Sequence, residues 1–348
     1  MIGTTHQWNL SICFFVCLSM KRLFMVLCAA LLVAGCSQKK GNTVAGSSAK
    51  DYTQVQVPDF SADSALSFAK AQLDFGPRTP NSQSASQCEQ YLVSQMNRWC
   101  DTVIVQKFST TLWNNTVVNG SNIIGSINPA HSTRILLAAH WDSRLWADHD
   151  SVPANQKKPI LGANDGASGV AVLMELARVM AFDTPDAGID FIFFDVEDQG
   201  IPEWADEYKD NTWCLGSQYW AQYPHVPFYK AIYGVLLDMV GTPNPRFTME
   251  EVSRKYAPHI LNKYWNAAAS LGYSNIFVKS DTDPILDDHL YVNQIAGIPT
   301  IDLVQNTPGS SFFPYWHTMG DNFEALDAST MKVVGNLILK VIYGDYDK

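Results

Sequence analysis

Residue types that hold metals or move protons stand where apolar runs stop. Residues 134–139 run into His140-Trp141-Asp142-Ser143-Arg144, and residues 189–194 into Asp195-Val196-Glu197-Asp198. Residues 234–237 run into Asp238, and residues 298–304 lead to a loop with Trp316-His317. Asp165 lies in Asn164-Asp165-Gly166-Ala167-Ser168-Gly169, at the head of an apolar helical stretch. Carboxylates and imidazoles without thiolates suit a zinc site with an open position, used for hydrolysis or group transfer. Each residue alone has an ordinary reading. Asp165 fits a helix N-cap, Glu197-Asp198 a solvated loop, and His140 or His317 a hydrogen-bonded structural histidine. Asp238 resists such a reading, because burying a carboxylate without partners is costly. Five separate segments aiming such groups at one crevice argue for a site. Other chemistries lack their pattern: there is no His-Glu-x-x-His, no phosphate-binding loop and no dinucleotide fingerprint. Gly166-Ala167-Ser168-Gly169 lacks the spacing of a serine nucleophile elbow.

The elements that must position these residues read as alternating strands and helices. Strand patterns cover 103–108, 121–127, 134–139, 189–194, 233–237 and 298–304. Helical patterns cover 61–75, 84–99, 167–182, 216–222, 250–271 and 329–343, with Gly76-Pro77 breaking the first from the second. The pattern predicts an α/β fold: a single domain with a mixed, mostly parallel central sheet and helices on both faces. Ligands of such sheets bind at the carboxyl ends of the strands, which is where the polar residues fall.

The chain has 348 residues, 17% charged and 12% aromatic, with a net charge of −10. That composition excludes a disordered protein, and nothing supplies the basic stripe of a nucleic-acid binder. Met20-Lys21-Arg22, an apolar run over 23–34 and Gly35-Cys36 read as an export signal. Val33-Ala34-Gly35-Cys36 resembles a bacterial lipobox. The expected division is therefore a signal over 1–36 with Met20 as true start and Cys36 lipidated, a linker over 37–58 and a catalytic zinc domain over 59–348. Export, lipid anchoring at Cys36 and a periplasm-facing location in a Gram-negative bacterium follow as expectations, with no other membrane contact. Cys88 and Cys100 fall about 18 Å apart along one helix, too far to bridge. With Cys214 they are expected to be free, and to act as buried filler.

At these residues the chain resembles the clan shared by two-zinc aminopeptidases and animal-type (type II) glutaminyl cyclases, over residues 60–346. His140, Asp165, Glu197, Asp198, Asp238 and His317 match the six positions of the aminopeptidase site. Several segments are more similar to the cyclases. His140-Trp141-Asp142-Ser143-Arg144 resembles His-Tyr-Asp-Ser-Lys, and Leu236-Leu237-Asp238-Met239-Val240-Gly241 resembles Leu-Leu-Asp-Leu-Ile-Gly. Leu286-Asp287-Asp288-His289 resembles a Gln-Asp-Asp-His loop, and Trp316-His317-Thr318-Met319 reproduces Trp-His-Thr-Met. Two departures stand out: Asp198 where the animal cyclases have Glu, and Leu286 where they have Gln.

The resemblance implies one zinc held by Asp165, Asp198 and His317, with Glu197 moving protons and Asp238 and Asp287 in a supporting carboxyl network. It implies a substrate pocket walled by Trp316 and Trp204 and edged by Leu286. His140 is left either binding a second metal or hydrogen-bonding. The implied activity is conversion of N-terminal glutaminyl residues of peptides and proteins to pyroglutamate, with release of ammonia. A two-zinc aminopeptidase is the alternative within the clan, and a non-catalytic binding lipoprotein is the alternative outside it.

Overall fold

Alternation along the strands decides which side chains meet which layer of helices. The computed structural model describes residues 50–307 and 312–346. Strands β1 (Thr102–Thr111), β2 (Val117–Ile127), β3 (Arg134–His140), β4 (Gly188–Phe194), β5 (Tyr233–Asp238) and β8 (Thr300–Val304) form one sheet. Its order is β1-β2-β4-β3-β5-β8. β1 and β2, and β2 and β4, run antiparallel, while β4, β3, β5 and β8 run parallel.

Odd-numbered residues of the central strands, among them Ile135, Leu137, Phe191, Phe193, Val235 and Leu237, face one helical layer. That layer holds α1 (Ala62–Leu73), α2 (Gln83–Trp99), α3 (Gly169–Phe182), α6 (Pro258–Ser270) and α8 (Ala328–Asp345). Even-numbered Leu136, Ala138, Ile192, Phe194 and Leu236 face the other way, against Trp220 and Ala221 of α4 (Leu215–Gln222). Successive strand side chains point to opposite faces, so a strand apolar on every residue must be covered on both. The expected single α/β domain with helices on both faces is the fold observed.

Three details depart from the sequence expectation. The helix expected over 250–271 is two, α5 (Glu251–Tyr256) and α6, separated at Ala257. Pro258 sits in the first turn of α6, where its missing N–H costs nothing, and it disfavours helical backbone in the residue before it. A small parallel pair, β6 (Phe247–Glu250) and β7 (Phe277–Thr282), and the short helix α7 (Asp288–Tyr291) had no counterpart in the sequence reading. The folded body also begins earlier than residue 59. Tyr52 is buried in the core, and Lys340 Nζ donates to the Val55 carbonyl at 2.5 Å. The export signal, Cys36 and most of the linker lie outside the described residues. No helix among the described residues is long and apolar enough to cross a membrane.

Helix α3 meets the sheet with almost no gap at its first residue. A Cβ on Gly169 would lie 2.3 Å from the Leu237 carbonyl oxygen and 3.0 Å from Ala139 Cβ. Gly169→Ala is therefore expected to lower stability by about 3 kcal/mol or more, read from denaturant unfolding. Unchanged stability would show that α3 is free to shift.

Candidate active site

Four parallel strands end at one edge, and three of them, β3, β4 and β5, deliver a site residue at or just after their ends. His140 is the last residue of β3, and Asp238 is the last of β5. Glu197 and Asp198 follow β4, and Asp165 sits in an irregular turn, Ala163–Ser168, that feeds α3. Asp165 has extended backbone rather than helical, and the peptide joining it to Gly166 is cis. The N-cap of α3 is Ser168, not Asp165. A Cβ on Gly166 would come within 2.3 Å of the His140 carbonyl oxygen, so the turn packs directly on the end of β3. Val196, Met239 and His317 hold φ of 57°, 50° and 54°. Left-handed backbone is costly for a non-glycine residue, most of all a β-branched one, and here it is held by the packed surroundings.

Asp165, Asp198 and His317 present donor atoms all within 4.8 Å of one another. His317 Nε2 lies 3.0 Å from Asp198 Oδ1 and 3.6 Å from Asp165 Oδ2. Asp165 Oδ2 and Asp198 Oδ2 are buried with no hydrogen-bond partner, an expensive state that a divalent cation relieves. Two carboxylates and an imidazole are a zinc donor set, so the residues fit the metal. Asp165 is also shared with His140 and Asp238, whose donor atoms form a second such group. There His140 Nε2 lies 3.0 Å from Asp165 Oδ1 and 3.3 Å from Asp238 Oδ1.

A ring of buried charge behind these residues carries them, and sequence reasoning assigned it no role. Asp142 accepts hydrogen bonds from the backbone N–H of Glu197 (3.1 Å) and Asp198 (3.2 Å) and from Gln199 Nε2 (2.9 Å). Against the burial that would raise it, these bonds and His140 hold Asp142 below the usual carboxylate range. Asp321 accepts from the N–H of Asn164 and Asp165, fixing the turn from outside. Arg144 grips Asp148 with two bonds of 2.7 and 2.6 Å and donates to the Asp198 carbonyl at 3.0 Å. Asp148 in turn stands 3.5 Å from His317 Nδ1. Arg78, fully buried, donates to the carbonyls of Trp141, Leu161 and Gly162, and so ties the β3 end to the Asp165 turn. Asp142 and Arg144 stand inside a segment that drew attention for His140, but only their burial reveals what they hold.

The proton-carrying groups meet on the other side. Burial, then the neighbouring Asp198 and Asp287, push Glu197 well above the ordinary range, with His140 opposing. Burial and the charges of Asp165 and Asp287 push Asp238 up to about 7 despite its hydrogen bond with His140. Asp287, raised by burial, stands beside Asp302 of β8, with one oxygen of each carboxyl within 4.8 Å of the other. Behind Asp302 lies His289, whose Nδ1 is 3.7 Å from Asp302 Oδ2 and whose Nε2 is 3.3 Å from Glu250 Oε1. Asp302 stands inside an apolar strand run, the one signal that could have marked it. Cys214 Sγ lies 3.1 Å from Glu197 Oε1.

These groups open into a cleft of about 280 Å³. Its outer wall is apolar, with Trp316, Phe312, Ile285 and Trp213, and Leu286 sits half exposed at the rim. Trp316 stacks on His317 with ring centroids 3.7 Å apart. Trp204 does not line the cleft. It packs edge-on against Trp113 and Trp146 instead, at 6.1 and 6.2 Å. Trp213 takes the cleft position because its ring lies flat against the bare backbone of Gly200, where any Cβ would clash, and beneath the Arg144 guanidinium at 4.6 Å.

A mixed sheet with buried carboxylates and imidazoles converging on its parallel strand ends defines the zinc exopeptidase-like class of α/β enzymes. The chain belongs to peptidase family M28, whose sequence model matches residues 122–342. It is similar to the glutaminyl-peptide cyclotransferase of Bothrops jararaca, 28% identical over 65% of this chain; the chain spans 65% of that relative's length. Among solved structures it resembles the glutaminyl cyclase of Bacteroides thetaiotaomicron bound to N-acetylhistamine, at 46% identity and a TM-score of 0.81 over 83% of this chain and 99% of that one. It also resembles a Zn-dependent exopeptidase of Parabacteroides distasonis, at 45% identity and a TM-score of 0.82 over 84% of this chain and 100% of that one.

Asp148 Oδ1 faces the His317 nitrogen turned away from the donor cluster at 3.5 Å, a close approach rather than a hydrogen bond. Asp148→Asn is expected to weaken zinc affinity about 10- to 100-fold in competition with a chelator, the usual cost of losing a carboxylate behind a metal-binding histidine. Wild-type affinity would show that the ring is held by its packing alone.

Proposed function

We propose that this protein converts N-terminal glutaminyl residues of peptides and proteins to pyroglutamate with release of ammonia. The observation that carries the reading is the linked set Glu197, Asp238 and Asp287, beside a zinc donor set and under an apolar wall. Cyclisation must take a proton from an amine and deliver one to a leaving amide nitrogen within the same closed space. Carboxyls that burial holds above the ordinary range, Asp238 at about 7, suit that task. The cleft has room for one neutral side chain, and Trp316 offers it a flat apolar face. Similarity to solved glutaminyl cyclases supports the same reading.

Asp165, Asp198 and His317 would hold one zinc, which supplies Lewis acidity toward the side-chain amide carbonyl. Glu197 accepts a proton from the substrate's α-amine as the amine nitrogen bonds the amide carbon. It returns that proton to the amide nitrogen as the carbon–nitrogen bond breaks, so ammonia leaves and no enzyme nucleophile is consumed. Asp287, held by the Asp288 N–H, and Asp238, held by His140, hold the leaving nitrogen and steady Glu197 between them. His140 hydrogen-bonds Asp238 and Asp165 from its Nε2 side, and in this reading it binds no second ion. Its shared donor group with Asp165 and Asp238 is the feature that favours a two-zinc aminopeptidase instead.

Residues 20–36 support a further part of the proposal: export, with a lipid on Cys36 tethering the enzyme on the periplasmic side. There it would meet newly exposed N-terminal glutamine on exported proteins.

Purified protein lacking residues 1–36 is expected to release ammonia from a Gln-initiated peptide and to contain about one zinc. Free amino acid with about two zincs would overturn the cyclase reading in favour of the peptidase. Glu197→Gln should lower turnover about 10²- to 10⁴-fold with zinc retained, and full activity would remove Glu197 from the mechanism. In cells, Cys36→Ser should abolish labelling by fatty acid; persistent labelling would refute the anchor.

A further inference from the structure

Of the three free cysteines in the described body, Cys214 alone touches the proton-carrying groups. Cys88 and Cys100 lie in the α2 layer, packed against the far face of the sheet. Cys214 immediately precedes α4, fully buried, with φ of 57°. Its backbone N–H donates to the Glu197 carbonyl at 2.8 Å, and the next N–H, of Leu215, donates to the Val196 carbonyl at 3.0 Å. The start of α4 is thereby laced to the segment that carries Glu197.

The side chain repeats that grip. Sγ stands 3.1 Å from Glu197 Oε1, with the thiol as donor to the carboxylate. Glu197 Oε2, on the opposite side, lies 3.9 Å from His140 Nδ1. Asp287 completes the group, with one oxygen of each carboxyl and Sγ all within 4.8 Å. Burial and the adjoining carboxylates push the Cys214 thiol well above its ordinary range, so the sulfur keeps its hydrogen. A glutamate side chain has three rotatable bonds, and a carboxylate that must both take and return one proton cannot wander between the two events.

We infer that Cys214 is a positioning residue for Glu197: its S–H donates to Oε1 and leaves Oε2 as the oxygen that exchanges protons in the cleft. The inference rests on Glu197 as the base, a role that the cyclase and the aminopeptidase readings share. The backbone bonds hold Glu197 at its main chain, while the thiol holds the carboxylate itself. Any donor of similar size at this place would serve, and an apolar residue of similar size would not.

The test compares Cys214→Ser, which keeps a donor, with Cys214→Ala, which has none, in steady-state kinetics on whichever peptide reaction the wild type performs. Cys214→Ala should lose kcat about 10- to 100-fold with KM and zinc content unchanged, and Cys214→Ser should recover most of that loss. Wild-type kcat in Cys214→Ala overturns the inference, as does an equal loss in both variants, which would mean packing alone. Infrared spectroscopy gives a readout that needs neither turnover nor a stable alanine variant. The S–H stretch assigned to Cys214, by its disappearance in Cys214→Ser, should rise in frequency when Glu197→Gln replaces the carboxylate with a weaker acceptor. An unmoved band overturns the inference. Release of amino acid instead of ammonia by the wild type would refute the cyclase reading while leaving the Cys214 comparison intact.

Discussion

Carboxylates buried side by side lose their hydration and repel one another, and everything at this strand edge answers that difficulty. Asp165, Glu197, Asp198, Asp238 and Asp287 line one cleft, and no lysine or arginine among the described residues lines it with them. Left alone, such a group would open the fold or take up protons until its charge was gone. The structure compensates each acid differently. Asp165 and Asp198 keep oxygens free for a cation. Asp238 leans on His140, and Asp287 accepts the backbone N–H of Asp288. Glu197 is pushed toward its protonated form and touched by a thiol. A division of roles among similar acids follows from environment alone.

Rigidity is the second condition, because compensation works only at fixed distances. The four parallel strands supply it, with every residue of β4 and β5 buried and helices packed on both faces. The turns that leave the strands are less regular. Left-handed backbone at Val196, Met239 and His317 is held by hydrogen bonds at or beside each: Asp142 takes the Glu197 N–H, Ser168 Oγ takes the Val240 N–H, and the His149 N–H donates to the His317 carbonyl. Strain of this kind costs about 1–3 kcal/mol per residue, and it concentrates where side chains must be aimed.

The framework and the principal acids were legible in the sequence because both rest on local pattern. An apolar strand run that ends in His140, Asp238 or Asp195-Val196-Glu197-Asp198 announces a polar group at a sheet edge whatever the rest of the chain does. The two-helix break at Ala257 was also written locally, in Pro258, but an apolar period continuing across it hid the interruption. Trp204 and Trp213 were not separable by spacing, since the loop between them can bring either ring to the cleft. Gly200 and Arg144 decide in favour of Trp213, and neither is its neighbour in sequence.

What the sequence determined by itself is the alternation of strands and helices, the metal-type residues at their ends and the membership in one family, because these depend on residue type and short-range order. The tertiary structure decided the partners. It set Asp302 against Asp287, Asp148 behind His317 and the Cys214 thiol on Glu197. Those pairs join residues 15, 169 and 17 positions apart through the paths of loops. A loop's path is fixed by the sum of its contacts rather than by any pattern within it, so a cysteine that reads as filler stands against the base.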